Sequence, residues 1–257
     1  MHTLFARTLL ALWLWVLCTV SGAQPAPPLG ESARNAVGTG FFVSQEGHLV
    51  TANHVLKGRN FVFVRLQTGG RWRLAQVIRA SADDDLALLK INTSSTPLPL
   101  ARWRGVPIGL EVYVLGFPQP SMQGNGLKIT AGIVNGEFTE GRRNRLFQLS
   151  AEIQKGNSGG PVLSPDGLVV GVVQSKLDAM SIANKTNDLP QNVNFAAKSE
   201  VLERFLLDAG LQPEVRLIDL NVMRRPYQLL RDNLGGMAMV LSTDDMLPAK
   251  AMETADR

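Results

Sequence analysis

The chain has little cysteine and little histidine. Its one cysteine, Cys18, lies in an apolar leading segment. Without that segment the body has no disulfide and no thiol nucleophile, even in a compartment that permits disulfides. Histidine occurs three times, at positions 2, 48 and 54. Two histidines and no cysteine in the body argue against a structural zinc site, and nothing calls for another metal or cofactor. Charge is also sparse. Asp, Glu, Lys and Arg make up 19% of the chain, and the net charge of +4 falls to +3 without Arg7. That mild basic excess is too diffuse to argue for nucleic acid. The densest cluster, Gly141-Arg142-Arg143-Asn144-Arg145, reads as a solvated hairpin tip. Long apolar runs are missing too, apart from residues 8–20, which fall short of the ~20 residues of a spanning helix.

That first run has its own reading. Arg7 precedes it and Ser21-Gly22-Ala23 follows it, which is the pattern of a secretory signal with a small-residue cleavage site. Residues 1–23 are therefore expected to be removed, leaving a periplasmic or secreted protein with no stable membrane anchor. An uncleaved anchor is the alternative, and the short run opposes it. Cys18 raises lipid attachment as another, but Leu17 stands where a small residue is wanted. The remaining length suits one large β domain or two small barrels.

The body reads as short strands between turns. Candidates in the first half are 37–44, 48–51, 61–66, 72–80 and 86–91. Thr96 to Pro107 has three prolines and reads as a linker. The second half offers 111–115, 127–134, 146–150, 161–163, 168–174 and 192–196, with Pro165-Asp166-Gly167 as a hairpin turn. One helix is clear: Ser199 as N-cap, then Val201, Leu202, Phe205 and Leu206 at helical spacing. A weaker amphipathic stretch lies near 227–230, and the chain from Met246 on is expected to fray.

Three residues carry the chemistry. His54 stands in Thr51-Ala52-Asn53-His54-Val55, Asp85 opens Asp85-Leu86-Ala87-Leu88-Leu89, and Ser158 stands in Gly156-Asn157-Ser158-Gly159-Gly160-Pro161. A serine hydroxyl is a poor nucleophile unless a base is in reach, and the base needs an orienting group. Imidazole titrates near neutral pH and can take and return a proton. His48 is the rival base, but it opens a strand just after a turn. Asp83 and Asp84 compete with Asp85. Asp85 is best placed to turn inward, because three adjacent buried carboxylates would cost too much desolvation. Gly156 can adopt positive φ, which lets the amides of Gly156 and Ser158 point at one spot as an oxyanion hole.

The order histidine, aspartate, serine is that of chymotrypsin-type enzymes and not of subtilisins or α/β-hydrolases. With these segments the chain resembles trypsin-like serine peptidases, and within them the bacterial high-temperature-requirement (Deg-type) proteases. Further matching segments are Gly38-Thr39-Gly40-Phe41-Phe42-Val43, Gly116-Phe117-Pro118 and Thr130-Ala131-Gly132-Ile133-Val134. The resemblance covers about 36–211. It implies an all-β fold of two perpendicular six-stranded barrels with a C-terminal helix and the active site between the barrels. The first barrel would span about 36–95 and the second about 108–197, with the helix at 199–211, inside a protease domain of 24–211. Residues 212–257 are expected to form a partly disordered extension, too short for the PDZ domain that Deg-type proteases carry. Its removal after Leu211 is expected to leave the catalytic geometry intact.

The function implied is an exported serine endopeptidase that cuts extended polypeptide through an acyl-enzyme, with His54, Asp85 and Ser158 as its triad. The substrate would lie as an added strand along the second barrel. The alternative is a protease-fold binding or chaperone-like module with low or switched-off activity; an esterase using the same serine is a third reading. Residues 176–191 stand where a specificity-pocket wall would be, with Asp178 and Asp188 as possible floors. A small-to-medium apolar residue before the cut is preferred.

Overall fold

The computed structural model describes residues 35–138, 140–174 and 193–252. The expected signal segment, Asp178 and Asp188 lie outside them. The structure is mostly β, as expected: a closed six-stranded barrel and a second, half-barrel sheet of chymotrypsin type.

The half-barrel has seven strands. In spatial order they are β4 (Arg73–Leu74), β3 (Phe61–Leu66), β15 (Met237–Thr243), β1 (Asn35–Phe42), β2 (His48–Ala52), β6 (Leu86–Lys90) and β5 (Gln76–Ser81). The barrel is β11 (Pro161–Leu163), β8 (Glu111–Gly116), β9 (Lys128–Glu137), β10 (Leu146–Leu149), β13 (Asn194–Lys198) and β12 (Val169–Val173). Pairing of β11 with β12 closes it. Two short strands, β7 (Leu100–Ala101) and β14 (Val215–Arg216), extend it beyond β12.

Period-two side-chain alternation builds three cores at once. Phe42, Leu49 and Leu89 point into the half-barrel beside Val62, Val64 and Val240. Their chain neighbours Phe41, Val50 and Leu88 point the other way, against Tyr113, Leu115, Leu163 and Val172 of the barrel. Val112, Val114, Phe147, Leu149 and Val170 fill the barrel itself. Helix α3 (Ser199–Leu207) adds Leu202, Phe205 and Leu206 to the layer between the sheets. Arg79 ties it to the half-barrel, with Nη2 3.2 Å from Asp208 Oδ2.

Three local readings change and one is borne out. Lys198, not Ser199, is the N-cap of α3, and the buried Ser199 hydroxyl has no hydrogen-bond partner among the described residues. The stretch 96–107 is not a bare linker. Leu98, Leu100 and Trp103 are buried in it, and β7 pairs in parallel with β12. The weak amphipathic stretch is a helix, Pro226–Asn233. The largest difference concerns the segment beyond Leu211. Its strand β15 lies between β1 and β3, paired antiparallel with both over its length, and all seven of its residues are buried. The chain runs on through buried Leu247 to Met252, where Trp72 and Met252 form a bridge. Among the described residues the segment is thus part of the half-barrel.

Candidate active site

His54 lies in the four-residue helix α1 (Asn53–Leu56), directly after β2. Asp85 lies directly before β6. Because β2 and β6 pair antiparallel, with Ala52 opposite Leu86, the end of one strand meets the start of the other. This register brings a histidine and an aspartate 31 residues apart into contact. His54 Nδ1 is 2.7 Å from Asp85 Oδ2, and the His54 backbone N–H donates to Asp85 Oδ1 at 2.8 Å. An ionised carboxylate only accepts, so Nδ1 carries the hydrogen and Nε2 keeps its lone pair in the neutral ring. Asp85 has φ 51°, a left-handed conformation that costs a non-glycine residue about 1–2 kcal/mol. Its carbonyl accepts from Asn53 N–H at 3.1 Å, so three hydrogen bonds hold it in that conformation.

Ser158 sits in a turn bracketed by positive-φ glycines, Gly156 (φ +97) and Gly159 (φ +84). Both are also required by contact. A Cβ on Gly156 would meet the Phe117 carbonyl at 2.2 Å; one on Gly159 would meet Thr39 O and Thr51 Oγ1 at 2.4 Å and Ala52 N at 2.5 Å. The serine turn thus packs directly on the end of β2, two residues before His54. Gly38 fills the remaining gap, since a Cβ there would lie 2.7 Å from a Val55 methyl and 3.1 Å from Ser158 O. Ser158 is buried, and its hydroxyl is not hydrogen-bonded to the imidazole in this conformation. Base–nucleophile contacts are commonly long before substrate arrives.

The backbone around Ser158 is mostly engaged. Thr39 N–H donates to Ser158 O at 2.9 Å, Gly159 N–H to Val173 O at 2.8 Å and Gly160 N–H to Asn157 O at 2.9 Å. The amides of Gly156 and Ser158 are different: neither donates to any acceptor among the described residues. A fixed pair of unengaged N–H groups beside a serine hydroxyl is what a developing oxyanion requires.

Thr39 is a contributor that sequence reasoning missed. It is fully buried. Its hydroxyl donates to Gly156 O at 2.6 Å and accepts from Phe117 N–H at 3.0 Å, while its carbonyl accepts from Thr51 Oγ1 at 2.8 Å. One threonine of β1 thus joins the half-barrel to both walls of the serine turn. Its position between two glycines was visible; its partners, more than 70 residues away, were not.

The rival residues lie elsewhere. His48 is four residues up β2 from Ala52, roughly 13 Å at strand rise. Its Nδ1 pairs with Ser44 Oγ at 2.8 Å. Burial, and then the nearby Lys90 charge, push its imidazole below its ordinary value. Asp83 is exposed. Asp84, expected to face water, is half-buried and spans the two sheets: its Oδ1 is 2.9 Å from Arg145 Nη1, and its carbonyl accepts from Gln174 Nε2 at 2.7 Å. Arg145, from the cluster read as a solvated tip, therefore braces the neighbour of Asp85. No group of histidine, cysteine and carboxylate side chains suited to a metal occurs among the described residues.

Comparison with known proteins identifies the family. Residues 38–172 match the family model of the trypsin-like peptidase domain. The y4bJ protein of Sinorhizobium fredii is 40% identical over 194 residues, which is 75% of this chain and 30% of that protein. The mouse serine protease HTRA4 is 34% identical over 192 residues, 71% of this chain and 36% of that protein. Among solved structures, a serine endoprotease from Yersinia pestis superposes with TM-score 0.56 at 26% identity, covering 70% of this chain and 60% of that one. The HtrA-type protease AlgW with a decapeptide gives TM-score 0.56 at 28% identity, covering 67% and 51%. The chain spans roughly a third of the length of these two curated relatives. With more than half of its length matched by that family model, the chain belongs to the trypsin-like peptidase family, with relatives of the Deg type.

Proposed function

We propose that the protein is an exported serine endopeptidase acting on extended polypeptide, with His54, Asp85 and Ser158 as its catalytic triad. His54 Nε2 takes the proton of Ser158 Oγ as that oxygen attacks the scissile carbonyl carbon. The amides of Gly156 and Ser158 hold the resulting oxyanion. Asp85 keeps the hydrogen on Nδ1 and stabilises the imidazolium. The imidazolium then protonates the leaving amine as the peptide bond breaks, leaving an acyl-enzyme. Water, deprotonated by His54, attacks the ester and returns the serine. No cofactor or metal enters the scheme.

The observation that carries this reading is the double hydrogen bond from His54 to Asp85, at the strand end on which the Ser158 turn packs, with the amides of Gly156 and Ser158 unengaged among the described residues. Polypeptide as substrate follows from the family, and export from the signal-like segment 1–23 together with relatives named as periplasmic DegP-like endoproteases. Nucleic acid and a lasting membrane anchor have no place in it. A second reading, a binding module at rest, draws on the missing hydrogen bond between His54 and Ser158. A fluorophosphonate probe separates the two. Labelling of the wild type and not of Ser158→Ala supports the endopeptidase; equal labelling of both, or none of the folded wild type, rejects it.

A further inference from the structure

Arg65 presents a charge for which the described residues provide no carboxylate. It lies on β3 opposite Met239 of β15, beside an outer apolar cluster that includes Phe63, Trp72, Phe117 and Met239. Its guanidinium stacks over Trp72, 5.0 Å from the ring centroid, and its Nη2 reaches only the Met239 sulfur at 3.7 Å. Burial pushes the guanidinium below its ordinary value. A thioether sulfur is a weak acceptor, so the N–H fork, the part that matches a carboxylate in two parallel bonds, meets no oxygen acceptor among the described residues.

Arg65 lines a cavity of about 230 Å³. Gln67 and Gly70 of the β3–β4 turn form one side; Phe117 and Asn125 of the barrel form the other. Among the described residues no acidic side chain lines it, and the lining includes two carboxamide residues, Gln67 and Asn125, able to donate. The cavity thus combines an unneutralised guanidinium, neutral donors and an apolar wall, which is the lining a carboxylate requires.

The Phe117 wall also touches the serine turn. The Phe117 carbonyl lies where a Cβ of Gly156 would stand, and its N–H donates to Thr39 Oγ1. Two residues on, Gln119 N–H donates to Lys155 O at 2.8 Å, and Gln119 holds φ 40°. A group bound against Phe117 and Asn125 therefore presses on the loop that braces the oxyanion donors.

We propose that this cavity is a carboxylate-binding subsite in which Arg65 holds a polypeptide's carboxylate, from an acidic side chain or a free C-terminus, against the loop that braces Gly156. That the carboxylate belongs to a polypeptide rests on the endopeptidase reading; that the site takes a carboxylate does not.

The test is a calorimetric titration of full-length Ser158→Ala protein, which needs no hydrolysis. One pair of short peptides differs only in a free or amidated C-terminus. A second pair, blocked at both ends, differs only in an internal Glu or Gln. At least one acid form should bind about tenfold or more tightly than its neutral twin, the size of a charge-assisted hydrogen bond, and should alter Trp72 fluorescence. Which pair discriminates identifies the source. Arg65→Gln should remove the discrimination, and Arg65→Lys should restore part of it. Equal binding of acid and neutral forms in both pairs, or discrimination that survives in Arg65→Gln, overturns the proposal. If Arg65→Gln does not fold, the wild-type discrimination and the Arg65→Lys titration decide: an unchanged affinity in Arg65→Lys excludes the two-pronged contact. Failure here with intact fluorophosphonate labelling would leave the endopeptidase reading standing.

Discussion

Ser242, buried on β15, donates its hydroxyl to the carbonyl of Val55, the residue after His54. The last strand of the half-barrel thereby anchors the short helix that carries the imidazole. Ser242→Ala is expected to lower stability by about 1–2 kcal/mol, the cost of an unmet buried acceptor, and to slow acylation. Urea midpoints and fluorophosphonate labelling rates measure the two effects.

Truncation after Leu211 is expected to unfold the half-barrel. Met237, Met239, Val240 and Leu241 are buried, and at ~1.5–3 kcal/mol each their loss amounts to about 6–12 kcal/mol, as large as the whole stability of a typical domain. Removal of β15 would also leave the edges of β1 and β3 unpaired. Circular dichroism and thermal melting of the truncated chain test this. A cooperative melt at wild-type temperature would contradict it.

Thr39→Val keeps the shape of the side chain and removes its hydroxyl. Gly156 O loses its donor and Phe117 N–H loses its acceptor, each at about 1–3 kcal/mol. The turn bearing the proposed oxyanion donors loosens, so kcat should fall more than KM rises. Thr39→Ser should retain most activity. Steady-state kinetics on a fluorogenic peptide compares the three proteins.

Asp85→Asn offers one oxygen where two donors, the His54 backbone N–H and Nδ1–H, each now meet an oxygen. The amide must point its NH2 at one of them. If it faces Nδ1, the ring takes the other tautomer and Nε2 can no longer accept the serine proton. A loss of acylation rate on the order of 10⁴ is expected, with little change in melting temperature. An unchanged rate would remove Asp85 from the scheme.

Glu137 and Lys198 predict acid sensitivity away from the site. Lys198 Nζ is 2.5 Å from Glu137 Oε1 and almost fully buried. That bond, more than the Trp103 indole N–H at 3.1 Å, holds the Glu137 carboxyl below its ordinary value of 4.5. Below 4.5 the unfolded chain binds a proton that the folded one resists. The stabilisation is therefore complete above 4.5 and drains away as pH falls through the lowered folded value. Glu137→Gln should flatten that acid limb. It also strands a buried ammonium, which costs about 3–5 kcal/mol. Glu137→Gln with Lys198→Met should recover part of that. Urea midpoints between pH 3 and pH 7 give both readings.

Local chemistry in the chain determined much of this protein. Turn residues set β3 and β11 at the ends expected, with Thr68-Gly69-Gly70 after the first and Pro165-Asp166-Gly167 after the second, because glycine and proline break a strand wherever they fall. Glycines flanking Ser158 announced a turn built on positive φ, and the order of His54, Asp85 and Ser158 pointed to the fold. What tertiary structure alone decided depends on partners far along the chain. The run Met237–Leu241 is apolar without a period, so its sequence does not separate a central strand from a buried helix turn; pairing with β1 and β3, some 200 residues earlier, made it a strand. Likewise Thr39 looked like one residue of a glycine-rich strand, and Arg145 like part of a solvated basic tip. Their roles arise where the two sheets face each other, because a hydrogen bond or ion pair between distant segments has no signature in either segment by itself.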